Sequence, residues 1–283
     1  MINILKLIRV EQWTKNLLIF AVPILANQLE LETFNKLIQI FFGFSLIASS
    51  GYILNDIQDL DSDRQHYLKS KRALASGKIT VAQSKKIFTI TTFLGTIVLF
   101  LNSPKILLMS LSYLVLSFAY SKYLKYLKYL DLAIISLFFV LRVHIGAVGS
   151  NIEVSVFLNL LIFFSSLAIV TSKKLSILTD KNIKNSKVKN SINKNYEVNL
   201  LKRVLVFSIV MTFIAFNMWI FLSKTVNLTF FASNFMFILF SRRFYILTLD
   251  SKTEDFIATL KNDKVLSFYI FIFILFTMYG IVF

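Results

Sequence analysis

The chain has 283 residues, 56% of them hydrophobic, with a mean hydropathy of +0.69. That balance excludes a soluble globular domain of this size. There is no cysteine, which excludes disulfides and thiolate metal sites, and two histidines, His66 and His144, leave little for a histidine-based zinc site. The formal charge is +16, from 31 Lys and Arg against 15 Asp and Glu. Basic residues gather on the cytoplasmic loops of membrane chains, so this charge needs no nucleic acid, and no nucleic-acid-binding module is visible.

Residues 1–14 read as an interfacial helix. Ile4, Leu5 and Ile8 make its apolar face, and Lys6 lies among headgroups. A cleaved signal is not expected, because Arg9, Glu11 and Lys15 interrupt the apolar run. On an α-helix Arg9, Gln12, Trp13 and Asn16 form a polar stripe running into the first span. The plain reading is a Trp and a basic anchor at the interface; Gln and Asn on the same stripe point instead to a polar cavity.

Spanning-length apolar runs then recur, near 15–31, 34–55, 83–102, 105–121, 129–149, 153–172, 203–223, 226–246 and 265–283. The expectation is an all-α integral membrane protein with nine transmembrane helices in one polytopic domain, residues 1–283. Its cytoplasmic loops fall near 56–82, 122–128, 173–202 and 247–264. With the N-terminus cytoplasmic, the outside loops hold only Lys36, Lys105 and Lys224.

The second run ends in Asn55-Asp56-Ile57-Gln58-Asp59-Leu60-Asp61-Ser62-Asp63-Arg64. On a helix Asp56, Asp59 and Asp63 share one face, joined by Asn55. Three carboxylates on one stripe repel unless a cation sits between them, and hard oxygen ligands favour Mg²⁺, which often bridges to substrate phosphates. Lys69 and Arg72 follow in the 64–82 loop, with Arg64 before them, and suit a phosphate clamp. Ala75-Ser76-Gly77 makes a tight turn. The bland alternatives are a solvated cap and positive-inside decoration.

Further along, Tyr120 to Tyr129 alternates Tyr and Lys, much of which is belt and snorkelling. Asp131 opens the next span. Arg142 lies about 20° from its face, three turns deeper, and Gly146 continues that face and allows close backbone approach. A charge so deep needs a partner or a watery cavity. His144 points nearly opposite and reads as structural. Lys173 ends the sixth span within reach of the cavity. The 174–200 stretch reads as a mobile cytoplasmic loop, and Glu254, Asp255 and Asp263 as surface.

Asn55-Asp56-x-x-Asp59-x-x-x-Asp63, with Arg64-x-His66-x-x-Lys69-x-x-Arg72 and Ala75-Ser76-Gly77, resembles the first motif of the UbiA prenyltransferase superfamily. The resemblance implies a nine-helix bundle with a cytoplasmic active-site cavity and Mg²⁺-dependent handling of a diphosphate. Arg9-x-x-Gln12-Trp13-x-Lys15-Asn16, Tyr120-Ser121-x-x-Leu124-Lys125 with Asp131, Leu141-Arg142, Gly146 and Lys173-Lys174 resemble its decaprenyl-phosphate phosphoribosyltransferase branch. So do Arg242-Arg243-Phe244-Tyr245 and Asp263. Three positions depart. Tyr67 and Ala73 replace prolines, which is expected to loosen the loop, and Ile177 replaces an acid. The second motif keeps only Asp131, unlike the aromatic prenyltransferases.

This branch implies transfer of 5-phosphoribosyl from phosphoribosyl diphosphate to a polyprenyl phosphate, in a bacterial inner membrane and for cell-envelope biosynthesis. Asp56, Asp59 and Asp63 with Asn55 would hold Mg²⁺, with Asp131 a further catalytic candidate. Arg64, Lys69 and Arg72 would clamp the diphosphate. Lys125 or Arg142 would take the sugar or lipid phosphate, with Tyr120 and Lys173 beside them. Arg9, Gln12, Lys15 and Asn16 would line the lipid phosphate entrance. The rivals are prenyl transfer to an aromatic acceptor, and a membrane cation transporter. The transporter would need acids along a path through the bilayer, and in the outer halves of the spans the acids, Glu30 and Glu153, stand only at the extreme ends.

Overall fold

The structure, a computed structural model, describes residues 2–65, 69–180, 196–222 and 228–282. The described residues are helical, with no strand among them. The chain begins with α1 (Ile2–Leu7), a 3₁₀ helix over Val10–Phe20, and α2 (Ala21–Leu25). Then come α3 (Leu31–Gln58), α4 (Leu60–Arg64), α5 (Val81–Asn102), α6 (Pro104–Lys122) and α7 (Leu130–Ser150). The rest is α8 (Val156–Thr179), α9 (Val198–Leu222), α10 (Leu228–Leu249), α11 (Phe256–Asn262) and α12 (Lys264–Val282). Eight of these, α3, α5 to α10 and α12, are long and apolar enough to cross a membrane. The protein is an all-α integral membrane protein.

The expected span at 15–31 is the exception to the α-helical pattern. Its place is taken by the 3₁₀ helix and α2. A 3₁₀ helix rises about 2.0 Å per residue against 1.5 Å for α, so these two pieces together reach roughly 30 Å, the thickness of a hydrocarbon core. Trp13, Asn16 and Ile19 recur every three residues, the period at which 3₁₀ side chains eclipse, and the last two are buried.

The chain divides into two compact units, residues 1–134 with 138–154, and residues 135–137 with 155–283. In the first unit α3 packs on α5 and α6. Small residues on α3 let neighbours approach, and hydroxyls join them: Ser50 bonds Thr91 at 2.8 Å and accepts from Thr92 at 3.0 Å. Gly146 of α7 lies against the Ile19 carbonyl so closely that a Cβ there would collide with it. α5 opens on a capping box, with Gln83 N–H donating to Thr80 and Thr80 N–H donating to Gln83. α6 has Pro104 at its first turn.

The loop before α5 is anchored rather than loose at Ala73. Ala73, Leu74 and Ile79 are buried with Leu7, Ile8 and Ile53 in one apolar cluster. Gly77 turns the chain with φ of 76°, a conformation that favours glycine. Tyr67 and His66 lie outside the described residues.

In the second unit α8 packs on α9, and α10 on α12. Asn217 and Asn234 exchange amide hydrogen bonds of 3.0 and 3.1 Å between α9 and α10. Helix α8 runs to Thr179, past the expected end near 172. Its Ser176 and Thr179 bond Thr253 and Ser251, at 2.7 and 2.8 Å, and tie down the turn after α10. Asp255 is a cap rather than idle surface: its carboxylate accepts from Ile257 and Ala258 at the start of α11. Asp263 accepts from the Arg243 guanidinium at 2.5 Å and from the Leu266 N–H at 2.8 Å. The Arg243 hydrogen bond holds its carboxyl below the usual carboxylate range, against a smaller desolvation effect. Most of the 174–200 stretch, residues 181–195, lies outside the described residues.

Candidate active site

Helix α3 ends at Gln58, and Asp59 closes it with ψ near 7°. The path then resumes as α4, with Asp59 N–H on the Asn55 carbonyl and Asp63 N–H on the Asp59 carbonyl. Asp56 and Asp63 are both buried. Their carboxylates converge on one nitrogen: Arg72 Nη1 donates to Asp56 Oδ1 at 3.0 Å and to Asp63 Oδ2 at 2.5 Å. Arg9 donates to the same Asp56 oxygen, with its guanidinium 5.0 Å from the Tyr52 ring centre. The Lys69 ammonium is 3.5 Å from Asp63 Oδ1.

Arg9 reaches Asp56 from a left-handed backbone, φ 51° and ψ 53°, which is costly for a residue with a Cβ and is kept where the surroundings over-determine it. The following 3₁₀ helix supplies that constraint. Trp13 donates to Ser49 at 3.0 Å, Asn16 donates to Ser45 at 2.9 Å, and the Ser49 hydroxyl donates to the Ile8 carbonyl at 2.8 Å.

The three-carboxylate stripe is not assembled. Asp59 turns instead to Lys125, in the loop before α7, whose ammonium donates to it at 2.7 Å. Among the described residues no three His, Cys, Asp or Glu side chains gather closely enough to hold an ion together. The physical reason is the one that motivated the stripe. Unscreened carboxylates repel, and here each is met by its own cation.

The remaining expected residues divide. Arg142 is buried, and each of its three side-chain nitrogens donates inside the protein. Nε donates to Asn16 at 2.8 Å, Nη1 to the Phe138 carbonyl at 2.6 Å and Nη2 to the Tyr113 hydroxyl at 3.0 Å. The Phe44, Tyr113 and Phe139 rings surround it at 5.1 to 5.7 Å. Asn16 and Arg142 thus serve each other rather than open space. Asp131 is buried at the start of α7, Tyr120 is half-buried on α6 beside Phe138, and Gln12 is half-buried in the 3₁₀ helix. Asn55 is half-buried and Lys15 exposed. Arg64 is exposed and 3.8 Å from Asp61, turned away from the buried acids. Lys173 is exposed on α8 and belongs to the second unit. Tyr113, Ser45 and Ser49 complete the first unit's polar framework and were not singled out by spacing, because Ser and Tyr in an apolar run carry no charge signal.

Comparison with known proteins decides the family. The model of the UbiA prenyltransferase family matches residues 17–273. The chain belongs to the UbiA prenyltransferase family. It is accordingly a membrane transferase. It is 27% identical over 227 residues to the decaprenyl-phosphate phosphoribosyltransferase of Mycobacterium tuberculosis, covering 77% of this chain and 74% of that one. Its fold is similar to that of a digeranylgeranylglyceryl phosphate synthase, with a TM-score of 0.68 and 20% identity over 99% of this chain and 98% of the other. A UbiA homologue from Archaeoglobus fulgidus bound to GPP and Mg²⁺ gives a TM-score of 0.61 at 19% identity, over 98% of each chain.

The acids suit a divalent ion held by two carboxylates better than one held by three. Asp56 and Asp63 already present oxygens to one point, and Asp63 Oδ1 is buried with the Lys69 ammonium 3.5 Å away and no hydrogen bond among the described residues. Mg²⁺ is commonly held by one or two carboxylates, with water and substrate phosphates filling the rest.

Proposed function

We propose that this UbiA-family transferase moves a 5-phosphoribosyl group from phosphoribosyl diphosphate to a polyprenyl phosphate in the plasma membrane, with its acids and bases facing the cytoplasm. The observation that carries the reading is the convergence of Asp56 and Asp63 on Arg72, flanked by Arg9 and Lys69. Alternating acids and bases of this kind suit a metal–diphosphate. Similarity to the mycobacterial phosphoribosyltransferase supports the choice of donor and acceptor. The basic loops on one side of the spans support the orientation.

In this reading Asp56 and Asp63 are the Mg²⁺ ligands. When bound, the ion offsets negative charge on the departing diphosphate. Arg9, Arg72 and Lys69 bind diphosphate oxygens, Arg in forked geometry. The donor's C1–O bond breaks and pyrophosphate leaves with the bonding pair. A lipid phosphate oxygen forms the new bond at C1. That oxygen is already ionised near neutral pH, so the site needs no general base, in keeping with a chain that has only two histidines. Lys125, held by Asp59, takes the second phosphate, of the sugar or of the lipid. Asn16 and Arg142 position the N-terminal segment, and through it Arg9.

A second reading is supported by the fold neighbour bound to GPP: prenyl transfer to an acceptor ring. The two differ in donor. Purified protein in liposomes, given Mg²⁺, polyprenyl phosphate and labelled phosphoribosyl diphosphate, is expected to move label into the lipid phase. Incorporation only from a prenyl diphosphate with an aromatic acceptor would overturn the first reading.

A further inference from the structure

Arg72 Nη1 occupies the point that Asp56 Oδ1 and Asp63 Oδ2 share. A Mg²⁺ ion bridging the two would need about the same point, roughly 2.1 Å from each oxygen. Guanidinium and ion cannot both be there. We propose that Arg72 is an internal counter-cation that competes with the metal for Asp56 and Asp63, and that the diphosphate relieves the competition by taking the guanidinium onto its own oxygens. The proposal rests on the metal–diphosphate reading of this site and adds an order to it: metal alone binds weakly, and metal with diphosphate binds strongly.

Three features of the geometry favour an exchange over a permanent bridge. Arg72 is about a quarter exposed, so its side chain has room to leave. Its backbone does not have to move, because Ala73 and Leu74 are anchored in the apolar cluster beside it. Arg9 is on Asp56 and Lys69 beside Asp63 while Arg72 departs, so neither acid is left without a cation before the ion and diphosphate are in place. The alternative partner is also a good one, since a guanidinium fork matches phosphate oxygens. Coupling of this kind is reciprocal: whatever factor pyrophosphate adds to metal affinity, metal adds to pyrophosphate affinity. It also leaves the acids neutralised between turnovers.

The test is Mn²⁺ binding followed by electron paramagnetic resonance on detergent-purified full-length protein, with and without pyrophosphate. Arg72→Met is expected to bind Mn²⁺ alone about tenfold more tightly than wild type, and to show a smaller gain from pyrophosphate. Arg72→Lys, which keeps a cation without the fork, should fall between and covers the case that Arg72→Met does not fold. Asp63→Asn should lose the signal, tying it to this site. Equal or weaker Mn²⁺ binding by both Arg72 variants in the absence of pyrophosphate overturns the competition and leaves the metal reading standing. Absence of Mn²⁺ binding by every protein, with or without pyrophosphate, overturns the metal reading and the competition with it.

Discussion

Two charged regions of the first unit solve the same electrostatic problem in opposite ways. Around Asp56, Asp59 and Asp63 every acid has a cation, and the cations are partly exposed. Around Arg142 there is a buried cation with no carboxylate on it among the described residues, satisfied by an amide, a carbonyl, a phenol and three ring faces. Ion pairs with one exposed partner can be exchanged for ligand charges. A cage of neutral dipoles and rings around a fully desolvated guanidinium has nothing to exchange and everything to lose if opened. Burial alone therefore does not say what a charge can do; the kind of partner decides whether it can be exchanged.

The sharpest way to break the comparison is to remove one acid. Asp63→Asn should lower transfer by roughly 10² to 10³-fold while the protein still inserts and keeps its helical circular dichroism. Activity near wild type would take Asp63 out of the site. The opposite signature is expected in the cage. Arg142→Met leaves Asn16 and Tyr113 without their partner and should cost about 3 kcal/mol, read as a lowered thermal midpoint in detergent. A variant of unchanged stability but raised donor KM would make Arg142 a substrate ligand after all.

Within the exchangeable group, exposure should rank the effects. Lys125→Ala is expected to raise KM for one phosphate-bearing substrate about tenfold, whereas Arg64→Ala, facing solvent and Asp61, should change it by less than about twofold. Equal effects would mean that proximity to Asp59 carries no weight. The smallest expected effect lies in the second unit. Asp263 has its carboxyl held below its unfolded value by Arg243. The stability it contributes is present above the ordinary Asp range and is lost as pH falls through the lowered folded value. Arg243→Gln should therefore flatten the acid end of a stability–pH curve and leave the neutral end nearly parallel.

Much of this was legible in the residues, for reasons that differ by element. Helices α3, α5 to α10 and α12 follow apolar runs whose length matches a bilayer, so their ends were expected within a few residues, except at α8, where Ser and Thr bonds carry the helix past Lys173-Lys174, and at α9, which opens at Val198 inside the expected loop. The first span was misread as α-helical. Trp13 and Asn16 stand three apart, a spacing that α and 3₁₀ periods share, and only the continuation to Ile19 separates them. At the site, the local motif held Asp56, Asp63, Lys69 and Arg72. It could not show that Arg9 closes on Asp56 from a distant segment, nor that Asp59 goes to Lys125, because both are tertiary pairings with no spacing rule. Arg64 was grouped with the clamp by adjacency alone, and helix geometry turned it outward.

The most direct test of the account is to locate a divalent ion with donor present. Crystals grown with Mn²⁺ and phosphoribosyl diphosphate should give an anomalous difference peak between the carboxylates of Asp56 and Asp63, with the diphosphate beside it and Arg72 turned onto its oxygens. A peak elsewhere in the protein, or a bound donor with Arg72 still bridging the two acids and no ion between them, would contradict it.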